Sequence, residues 1–233
     1  MNIMKKHIVV LTGAGVSQES GINTFRDADG LWEGHDVQEV ATPEGFAKNP
    51  DLVQTFYNQR RAQLHTVAPN EAHKALVRLE DKFEVSIITQ NVDDLHERAG
   101  SSAVLHLHGE LRKVRSTQYE DLVYEWDKDL NSGDLCERGY QMRPHIVWFG
   151  EAVPMLERAV EVTSTADMVI IIGTSMQVYP AASLVGFAPT GTPIYYVDPN
   201  PTLNHQLQVA NNVEIIQEKA GKGVNDLVEK LMV

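Results

Sequence analysis

Five short apolar runs, rich in β-branched residues, constrain the fold of this chain more than any other feature. Runs of this length that are apolar throughout are typical of strands buried on both faces of a parallel sheet. Helical patterns lie between or after them, so the order of elements predicts a doubly wound α/β fold. The runs are HIVVLT (7–12), EVSIITQ (84–90), DMVIIIGTS (167–175), TPIYYVD (192–198) and VEIIQ (213–217).

The helical patterns cover residues 49–67, 69–82, 153–165 and 223–233. Two stretches break the alternation, about 23–70 and about 111–143, because neither fits a minimal βαβ crossover. Together they predict a small second module grafted onto the sheet. The cleft between this module and the sheet is the natural place for a ligand.

Charge and cysteine content narrow the class of protein. The chain has 20 Lys and Arg against 32 Asp and Glu, a formal net charge of -12. Such an acidic surface repels nucleic-acid phosphates but suits basic peptides and lysine-rich tails. Cys136 is the single cysteine, so no intrachain disulfide is possible. No apolar run reaches transmembrane length and the N-terminal run is too short for a signal peptide, so we expect a cytoplasmic protein with no membrane partner.

A glycine turn follows the first run, at Gly13-Ala14-Gly15. Glycines here allow close backbone approach to a phosphate, and the N-terminus of a following helix supplies N–H groups to an anion. An ordinary turn between strand and helix is the alternative. Gln18 stands where the usual dinucleotide fingerprint has its third glycine, and no second strand with a terminal acid follows. A dinucleotide would therefore not be held in the standard dehydrogenase manner.

The loop INTFRDADGLWEG (22–34) comes directly after this turn and carries Phe25, Arg26 and Trp32. Long loops with aromatic residues beside a phosphate turn are typical of lids over a ligand. A solvent loop with one aromatic anchor is the alternative.

Polar residues follow three of the predicted strands. Gln90, Asn91 and Asp93 come after the second run, residues 173–175 close the third and Asp198 closes the fourth. The carboxyl ends of parallel strands face one ligand crevice, where amides and a carboxylate suit ribose hydroxyls or a carboxamide. Capping of a helix N-terminus by Asn91 or Asp93 is the alternative.

Two histidines lie in the alternating segment VLHLHGEL (104–111), so His106 and His108 are expected on one face of an extended segment. No acid or cysteine at a compatible spacing supports a metal site. His108 precedes Gly109, where the backbone can bend and a ligand can approach. His108 is therefore the better candidate for a base, with His106 packed behind it; an ordinary hydrogen-bonded histidine is the alternative.

Five motifs in order give the chain a specific resemblance. They are GAGVSQESGINTFRDADGLW (13–32), TQNVDDLHERAG (89–100), LHLHGEL (105–111), PHIVWFGE (144–151) and GTSMQVYP (173–180). Together they resemble the sirtuins, the NAD-dependent protein-lysine deacylases, over nearly the whole chain. The resemblance is closest to compact bacterial members and their relatives that remove acidic acyl groups.

The resemblance implies one catalytic unit over residues 1–233, with a Rossmann-like large domain and a small module. The large domain would cover about 1–30, 70–110 and 145–233, and the module about 31–69 and 111–144. NAD, as co-substrate, and an acyl-lysine protein or peptide would meet between them.

The resemblance also implies roles for individual residues. His108 would be the general base and Asn91 a second catalytic residue. After nicotinamide leaves, His108 would activate a ribose hydroxyl, and the products would be free lysine, nicotinamide and O-acyl-ADP-ribose. The NAD site would be lined by Gly13, Ala14, Gly15, Phe25, Arg26, Trp32, Gln90, Asn91, Asp93, Gly173, Thr174, Ser175, Asp198 and Ala220.

The implied substrate site has two parts. The segments VWFGE (147–151) and QVYP (177–180) match those that flank the peptide, which would insert as a strand between them; Val147, Phe149, Gly150 and Val178 would contact it. Backbone pairing reads little sequence, so peptide selectivity should be broad. Tyr57 and Arg60, one helical turn apart, match a Tyr-x-x-Arg pair of the acyl pocket in sirtuins that prefer succinyl or malonyl lysine.

The chain departs from the family pattern in two places. Asn23 stands where a proline is usual. Most sirtuins hold one zinc with four cysteines, but here Cys136 is alone and Ser116 stands at a cysteine position, so we expect no zinc. A mixed site with nearby acids is the alternative. The module should instead be held by the apolar bulk of Tyr119, Leu122, Val123, Tyr124, Trp126, Leu130, Leu135 and Tyr140.

These observations predict an NAD-dependent desuccinylase and demalonylase that also deacetylates, acting as a monomer. Two alternatives stay open. One is NAD-dependent ADP-ribosyl transfer to protein, which needs the NAD site but not the acyl pocket. The other is a non-catalytic NAD-binding sensor, against which the presence of His108, Asn91 and Asp93 argues.

Overall fold

The computed structural model of the chain describes residues 5–23 and 31–233. Its strands are β1 (His7–Thr12), β2 (Leu31–Trp32), β3 (His35–Asp36), β4 (Glu84–Thr89), β5 (Val104–His106), β6 (Gly109–Ser116), β7 (Val123–Glu125), β8 (Met142–Ile146), β9 (Met168–Ile172), β10 (Ile194–Val197) and β11 (Val213–Ile216). Its α-helices are α1 (Val37–Val40), α2 (Pro43–Lys48), α3 (Pro50–Leu64), α4 (Glu71–Leu79), α5 (Leu95–Ala99), α6 (Leu156–Thr163), α7 (His205–Val209) and α8 (Ala220–Met232). Short 3₁₀ turns cover Ala14–Val16, Gln18–Ser20 and Ala181–Phe187.

Six strands form one parallel sheet in the order β11-β10-β9-β1-β4-β5. The five predicted runs become β1, β4, β9, β10 and β11, which confirms the predicted α/β sheet. Four of these strands end one to three residues before their runs do, because the polar residues that follow turn out of the sheet at its carboxyl edge. The sixth strand, β5, is the segment that contains His106.

Helices cover both faces of this sheet, because alternate residues of β1 enter two separate hydrophobic clusters. Ile8 and Val10 pack with residues of α4 and α8, whereas Val9 and Leu11 pack with residues of α6, α7 and the 3₁₀ turn 181–187. The four predicted helical segments correspond to α3, α4, α6 and α8. Within residues 5–23 and 31–233, no helix is both long enough and apolar enough to cross a membrane.

The start of α4 is tied to the turn that follows β1. The Asn70 side chain accepts a hydrogen bond from the Ala72 N–H (2.9 Å), and the Asn70 N–H donates to the His73 ring, which closes a capping box. The Asn70 amide also donates to the Val16 carbonyl oxygen (2.8 Å). The helix cap therefore fixes the position of the turn at the carboxyl edge of the sheet.

A smaller antiparallel sheet, in the order β7-β6-β8, packs with α1, α2 and α3 beside this edge. Tyr57 of α3 is buried with Leu111 of β6 and Ile146 of β8. Arg61, which the sequence left without a role, is 1% exposed, and its Nε donates to the Leu111 carbonyl oxygen (2.8 Å). The guanidinium therefore fixes α3 to the small sheet.

The interior of residues 111–144 corrects part of the predicted packing. Leu130 is buried with Val114, Cys136 and Met142, and Leu122, Tyr124 and Trp126 are partly buried against them. Three residues expected in this core are exposed instead: Val123 by 38%, Leu135 by 52% and Tyr140 by 43%. Val123 lies on the edge strand β7, where alternate side chains face solvent. Tyr140 instead packs its ring edge-on against the ring of the partly buried Tyr119 (5.4 Å).

Candidate active site

A cleft of about 510 Å³ lies where the carboxyl ends of β1, β4, β9 and β10 meet the segment that follows β8. Of the residues assigned from the sequence, those that line it are Gly13, Ala14, Gly15, Trp32, Tyr57, Gln90, Asn91, Asp93, His108, Val147, Phe149, Gly150, Gly173, Thr174, Ser175, Val178, Asp198 and Ala220. Arg60 does not line it. The predicted Phe25 and Arg26 lie outside the described residues.

The glycine turn packs directly against the turn that follows β9. A Cβ on Gly15 would come within 2.6 Å of the Gly173 Cα, and one on Gly13 within 2.7 Å of the Thr174 Cβ. Gly173 itself has a φ of 60°, in the left-handed region. These glycines are therefore required by the contact between two turns, a reason that the sequence alone did not indicate.

The backbone donors of this turn differ from the prediction. No α-helix starts directly after β1; Ala14–Val16 and Gln18–Ser20 form 3₁₀ turns, because the Val16 and Ser17 N–H groups bond back within the segment. The N–H groups of Gly13 and Gly15 donate to carbonyl oxygens of residues 172 and 173. Within residues 13–17, only the Ala14 N–H has no hydrogen bond to the described residues. The helix that follows β1 therefore begins as a 3₁₀ turn, and of residues 13–17 it leaves the Ala14 N–H for an anion.

The segment 90–93 is held by a network of polar contacts. The Gln90 side-chain amide donates to the Thr174 hydroxyl (3.0 Å), and the Asn91 amide donates to the Ser17 hydroxyl (3.2 Å). Ser17 in turn donates to the Asp93 carboxylate (3.0 Å). These bonds connect the ends of β1, β4 and β9, so the predicted shared crevice exists.

The Asp93 carboxylate accepts two hydrogen bonds, one from the Ser17 hydroxyl and one from the backbone of α5. Its Oδ1 accepts from the Leu95 N–H (3.1 Å) at the start of α5, so the capping alternative is correct in part. The residue is only 5% exposed. Burial raises the pKa of Asp93, and the hydrogen bonds from Leu95 and Ser17 oppose that rise.

The ring of His108 lines the cleft and is held by a contact with the backbone of Gln90. Its Nδ1 lies 3.0 Å from the Gln90 carbonyl oxygen, which can only accept, so Nδ1 carries the hydrogen. In the neutral ring Nε2 therefore keeps its lone pair. Burial lowers the pKa of His108, while the Gln90 hydrogen bond opposes that effect. A neutral imidazole with a free Nε2 is suited to accept a proton.

The two histidines do not share one strand, because β5 ends at His106. His106 does not line the cleft; its Nδ1 lies 3.0 Å from the Asn91 carbonyl oxygen and its Nε2 lies 2.7 Å from Glu97. The next residue after His108, Gly109, has a φ of 83°, and a Cβ there would overlap the His145 carbonyl oxygen. This glycine permits the close approach of β8.

The proposed acyl pocket centres on Tyr57, which is fully buried. The Trp148 indole N–H donates to the Tyr57 hydroxyl (3.0 Å). Burial raises the pKa of Tyr57, so the phenol keeps its hydrogen. Since the hydroxyl already accepts from Trp148, that hydrogen is available to another acceptor.

Arg60 is not among the residues that line the cleft, so its predicted contact with substrate stays a prediction. Its guanidinium lies over the Phe56 ring at 4.6 Å, and NH2 donates to Gln59 at 3.5 Å. Phe56 is four residues earlier on α3, so a neighbour on the same helix face holds the side chain. Nε and NH1 are buried and have no hydrogen-bond partner among the described residues.

The segment after β8 is fixed by backbone and side-chain contacts. The Val147 N–H donates to the His108 carbonyl oxygen, and the Phe149 N–H donates to the Ala41 carbonyl oxygen, both at 2.9 Å. The Glu151 carboxylate accepts from Arg143 NH1 (2.6 Å) and from the Trp148 N–H (2.7 Å). The segment is therefore a rigid edge of the cleft.

Several residues that line the cleft were not named individually as site residues from the sequence. Trp148 and Glu151 stand inside a motif that had been recognised, so their neighbours could have indicated them. Ala41 and Lys219 stand in no such pattern. The full set is Gln18, Glu19, Ile22, Asn23, Ala41, Val92, Ile146, Trp148, Glu151, Val153, Tyr179, Pro180, Val197, Pro199, Asn200 and Lys219.

The residues around Cys136 do not fit a zinc ion. The thiol is buried and donates to the Ser116 hydroxyl at 3.4 Å. That hydroxyl also accepts from the N–H groups of Gln118 and Tyr119. Nowhere in residues 5–23 and 31–233 do three or more His, Cys, Asp or Glu side chains cluster so that they could hold a metal. One thiol and one hydroxyl are too few for a tetrahedral site.

The cleft fits a dinucleotide by its backbone cradle and its polar groups. The contact of Gly15 with Gly173 keeps side-chain atoms out of the turn. The Ala14 N–H and the Ser175 hydroxyl line the cleft without hydrogen bonds to the described residues, so they suit phosphate oxygens. One carboxylate oxygen of Asp198 accepts from the Asn200 N–H (2.8 Å), which leaves the other for a ribose hydroxyl.

Comparison with known proteins gives one consistent result. Residues 13–180 match the model of the Sir2 family. The NAD-dependent protein deacylase of Helicobacter pylori strain 26695 is 60% identical, over 97% of this chain and 98% of that protein. The NAD-dependent protein deacylase of Bacteroides thetaiotaomicron is 49% identical, over 97% of this chain and 98% of that protein.

Solved structures show the same likeness in three dimensions. A Sir2 homologue in complex with NAD is 42% identical with a TM-score of 0.86, covering 98% of this chain and 90% of that chain. A structure of Sir2 bound to acetylated peptide is 29% identical with a TM-score of 0.81, covering 98% of this chain and 94% of that chain.

Proposed function

Because the chain belongs to the Sir2 family and is an NAD-dependent protein deacylase, we propose that it acts on protein lysines that carry the acidic succinyl and malonyl groups, and also on acetyl-lysine. The observation that carries the acidic preference is the pair of unused donors on α3. The Tyr57 hydroxyl has a hydrogen to donate, and Arg60 has two buried nitrogens without a partner among the described residues. Buried unpaired donors are rare in proteins and suit an anion that arrives with the substrate.

The proposal includes a movement of Arg60. In the free protein the guanidinium lies over Phe56 and not in the wall of the cleft. A carboxylate at the end of the acyl chain would attract it, since a charge-assisted hydrogen bond is stronger than stacking on a ring. An acetyl group carries no such charge, so it would leave Arg60 in place.

We propose that the NAD site is formed by the glycine turn, segment 90–93, residues 173–175, Asp198 and Ala220. When bound, NAD supplies a ribose whose bond to nicotinamide breaks and which receives the acyl group. Asn91 and Asp93 hold the ribose side of the site through their contacts with Ser17. Nε2 of His108 accepts the proton of a ribose hydroxyl.

The substrate protein would add a strand between segments 147–151 and 177–180. The first segment is held by Ala41 and Glu151, as described above, and Val178 on the second segment lines the opposite wall. Pairing through backbone groups reads little side-chain identity, so we expect broad peptide selectivity. That the enzyme acts as a monomer in the cytoplasm stays a prediction.

Replacement of Arg60 by Met tests the acidic preference. We expect kcat/KM for a succinyl-lysine peptide to fall roughly 10- to 100-fold, the equivalent of one charged hydrogen bond, while that for the acetyl peptide changes less than about threefold. Arg138→Met is a matched control, because Arg138 also lies over an aromatic ring, that of Tyr119, away from the cleft. Equal losses on both peptides would exclude the role of Arg60.

We further propose that residues 111–144 fold without zinc. The hydrogen bond between Cys136 and Ser116 and the cluster around Leu130 support this. Activity should be unchanged after prolonged treatment with a zinc chelator. Loss of activity that added zinc restores would contradict it.

A further inference from the structure

Two histidines hold successive carbonyl groups of the segment that lines the cleft. His106 Nδ1 lies 3.0 Å from the Asn91 carbonyl oxygen, and His108 Nδ1 lies 3.0 Å from the Gln90 carbonyl oxygen. Their second nitrogens have different surroundings. Nε2 of His106 lies 2.7 Å from the Glu97 carboxylate, whereas Nε2 of His108 has no hydrogen bond to the described residues.

These surroundings favour different charges on the two rings. A carbonyl oxygen and a carboxylate are both acceptors, so the two contacts of His106 are both hydrogen bonds only when both ring nitrogens carry hydrogen, as in the imidazolium. Burial lowers the pKa of His106, but the hydrogen bond and the charge of Glu97 outweigh burial and raise it overall. His108 has no such partner, and burial lowers its pKa. The contacts therefore favour the cationic form of His106 and the neutral form of His108.

The charged ring lies next to groups of the NAD site without entering the cleft. Asn91 is 8% exposed and Asp93 is 5% exposed. The positive charge of His106 lowers the pKa of Asp93 and so opposes the effect of burial. A buried carboxylate is costly unless a positive charge or several hydrogen bonds compensate it.

We propose that Glu97 and His106 form a positioning pair for the NAD site: the imidazolium fixes the Asn91 backbone, two residues before Asp93, and Glu97 keeps the ring charged. This rests on the proposed roles of Asn91 and Asp93 in NAD binding. The hydrogen bond to the Asn91 carbonyl oxygen is charge-assisted, which makes it shorter and stronger than a neutral one. It therefore restricts the segment from which the Asn91 side chain enters the cleft.

The pair is embedded in a mostly acidic environment that maintains the charge of His106. Lys113 forms an ion pair with Glu110 at 2.9 Å and so neutralises part of this negative charge. The Nε2 of His96 interacts with the Thr12 hydroxyl (3.1 Å), and burial lowers the pKa of that ring, so it adds no charge. The titratable groups whose charges act on His106 or on Glu97 are Asp93, His96, Glu97, Glu110 and Lys113.

The first test measures the charge of His106 directly by NMR titration of the histidine rings in the free protein. We expect the pKa assigned to His106 to lie above about 6.5, and to fall towards or below that value in Glu97→Gln. Glu161→Gln is the control, since Glu161 forms an exposed pair with Arg158. A pKa of His106 below about 6.5 in the unmodified protein, or one that Glu97→Gln leaves unchanged, would overturn the proposal.

The second test compares three variants for NAD and peptide separately. In His106→Ala we expect KM for NAD, and Kd for ADP-ribose by calorimetry, to rise about tenfold, with KM for the acyl peptide within twofold. His106→Asn restores a neutral donor towards the Asn91 carbonyl oxygen and should recover part of that loss. His65→Gln is the control, because His65 also pairs with a carboxylate, that of Asp127, but is half exposed.

The outcomes separate this inference from the proposed function. An unmodified enzyme that does not turn over NAD with acyl peptides would refute the proposed function, while the NMR titration would still decide the charge of His106. An active enzyme in which His106→Ala leaves both the KM for NAD and the Kd for ADP-ribose unchanged, or weakens peptide and NAD equally, would refute the positioning pair.

Discussion

The indole N–H of Trp148 donates to the hydroxyl of Tyr57 at 3.0 Å, and both side chains are buried where α3 meets the segment after β8. The bond joins a residue of the proposed acyl pocket to a residue of the proposed peptide edge. It also orients the phenol, since an oxygen that accepts from Trp148 directs its own hydrogen elsewhere. The proposed acyl pocket and the proposed peptide edge therefore share one structural support.

Tyr57→Phe should separate the two roles of this hydroxyl. We expect kcat/KM for the succinyl peptide to fall about tenfold and that for the acetyl peptide to change little, because only the acid can accept the phenol hydrogen. The free energy of unfolding in urea should fall by about 1–3 kcal/mol, since the Trp148 N–H loses its acceptor in a buried position. An equal loss of activity on both peptides would contradict the role in acyl recognition.

The pH dependence of kcat/KM should report the protonation of His108, the proposed base. Burial lowers the pKa of His108, so the neutral base persists to lower pH than in an ordinary histidine. The acidic limb of the profile should therefore lie below about 6.5. The measurement uses the acetyl peptide, whose acyl group does not titrate. An acidic limb above that value would contradict the lowered pKa.

Stability should fall with acid because of a buried pair of histidine rings beneath the glycine turn. His73 and His96 lie with ring centroids 4.8 Å apart and are almost fully buried. Burial lowers the pKa of His73 to about 4, and that of His96 also lies below its ordinary value. The unfolded chain binds these protons near pH 6.5 and the folded protein does not, so stability is lost as pH falls from about 6.5 towards 4.

Urea unfolding at pH 7, 6 and 5 checks this expectation. His73→Gln should reduce the slope of unfolding free energy against pH by roughly 1.4 kcal/mol per pH unit, the value for one proton. His65→Gln, at a half-exposed site, should leave the slope unchanged. A slope that is equal in the unmodified protein and in His73→Gln would show that His73 does not contribute.

Glu151→Gln tests the support of the peptide edge. The carboxylate accepts from Arg143 at 2.6 and 3.1 Å and from the Trp148 N–H at 2.7 Å, and the Arg143 guanidinium lies 3.3 Å from the centre of the Trp148 ring. A neutral amide weakens these bonds, which should cost about 1.5–3 kcal/mol in stability. KM for the peptide should rise severalfold while KM for NAD stays within twofold. A larger effect on NAD than on peptide would assign Glu151 to the other side of the cleft.

The parallel sheet could be predicted from the sequence, and so could the meeting of polar residues at its carboxyl edge. Both depend on local sequence patterns. Strands buried on both faces are apolar throughout, and the carboxyl ends of parallel strands meet at one edge. The ends of β4, β9 and β10 could therefore be placed together before their contacts were known. The glycines of residues 13–15 were also recognised, but the contact of Gly15 with Gly173 could not be, because the two turns are far apart in the sequence.

The partners of individual side chains could not be predicted where several neighbours compete for one residue. Arg60 shares a helix face with Tyr57, as predicted, but also with Phe56, and the ring holds the guanidinium. Val123, Leu135 and Tyr140 are apolar or aromatic in a segment too irregular to show which of them face inward. The contact of His106 with Glu97, nine residues earlier and on another element, could not be anticipated either.

The measurement that tests the central claim most directly is mass spectrometry of the products formed from NAD and a succinyl-lysine peptide. The account predicts nicotinamide, the free-lysine peptide and O-succinyl-ADP-ribose in equal amounts, with neither the free-lysine peptide nor O-succinyl-ADP-ribose formed by His108→Ala. Turnover of an acetyl peptide without turnover of the succinyl peptide would contradict the acidic preference. ADP-ribose attached to protein, or no consumption of NAD, would contradict deacylation itself.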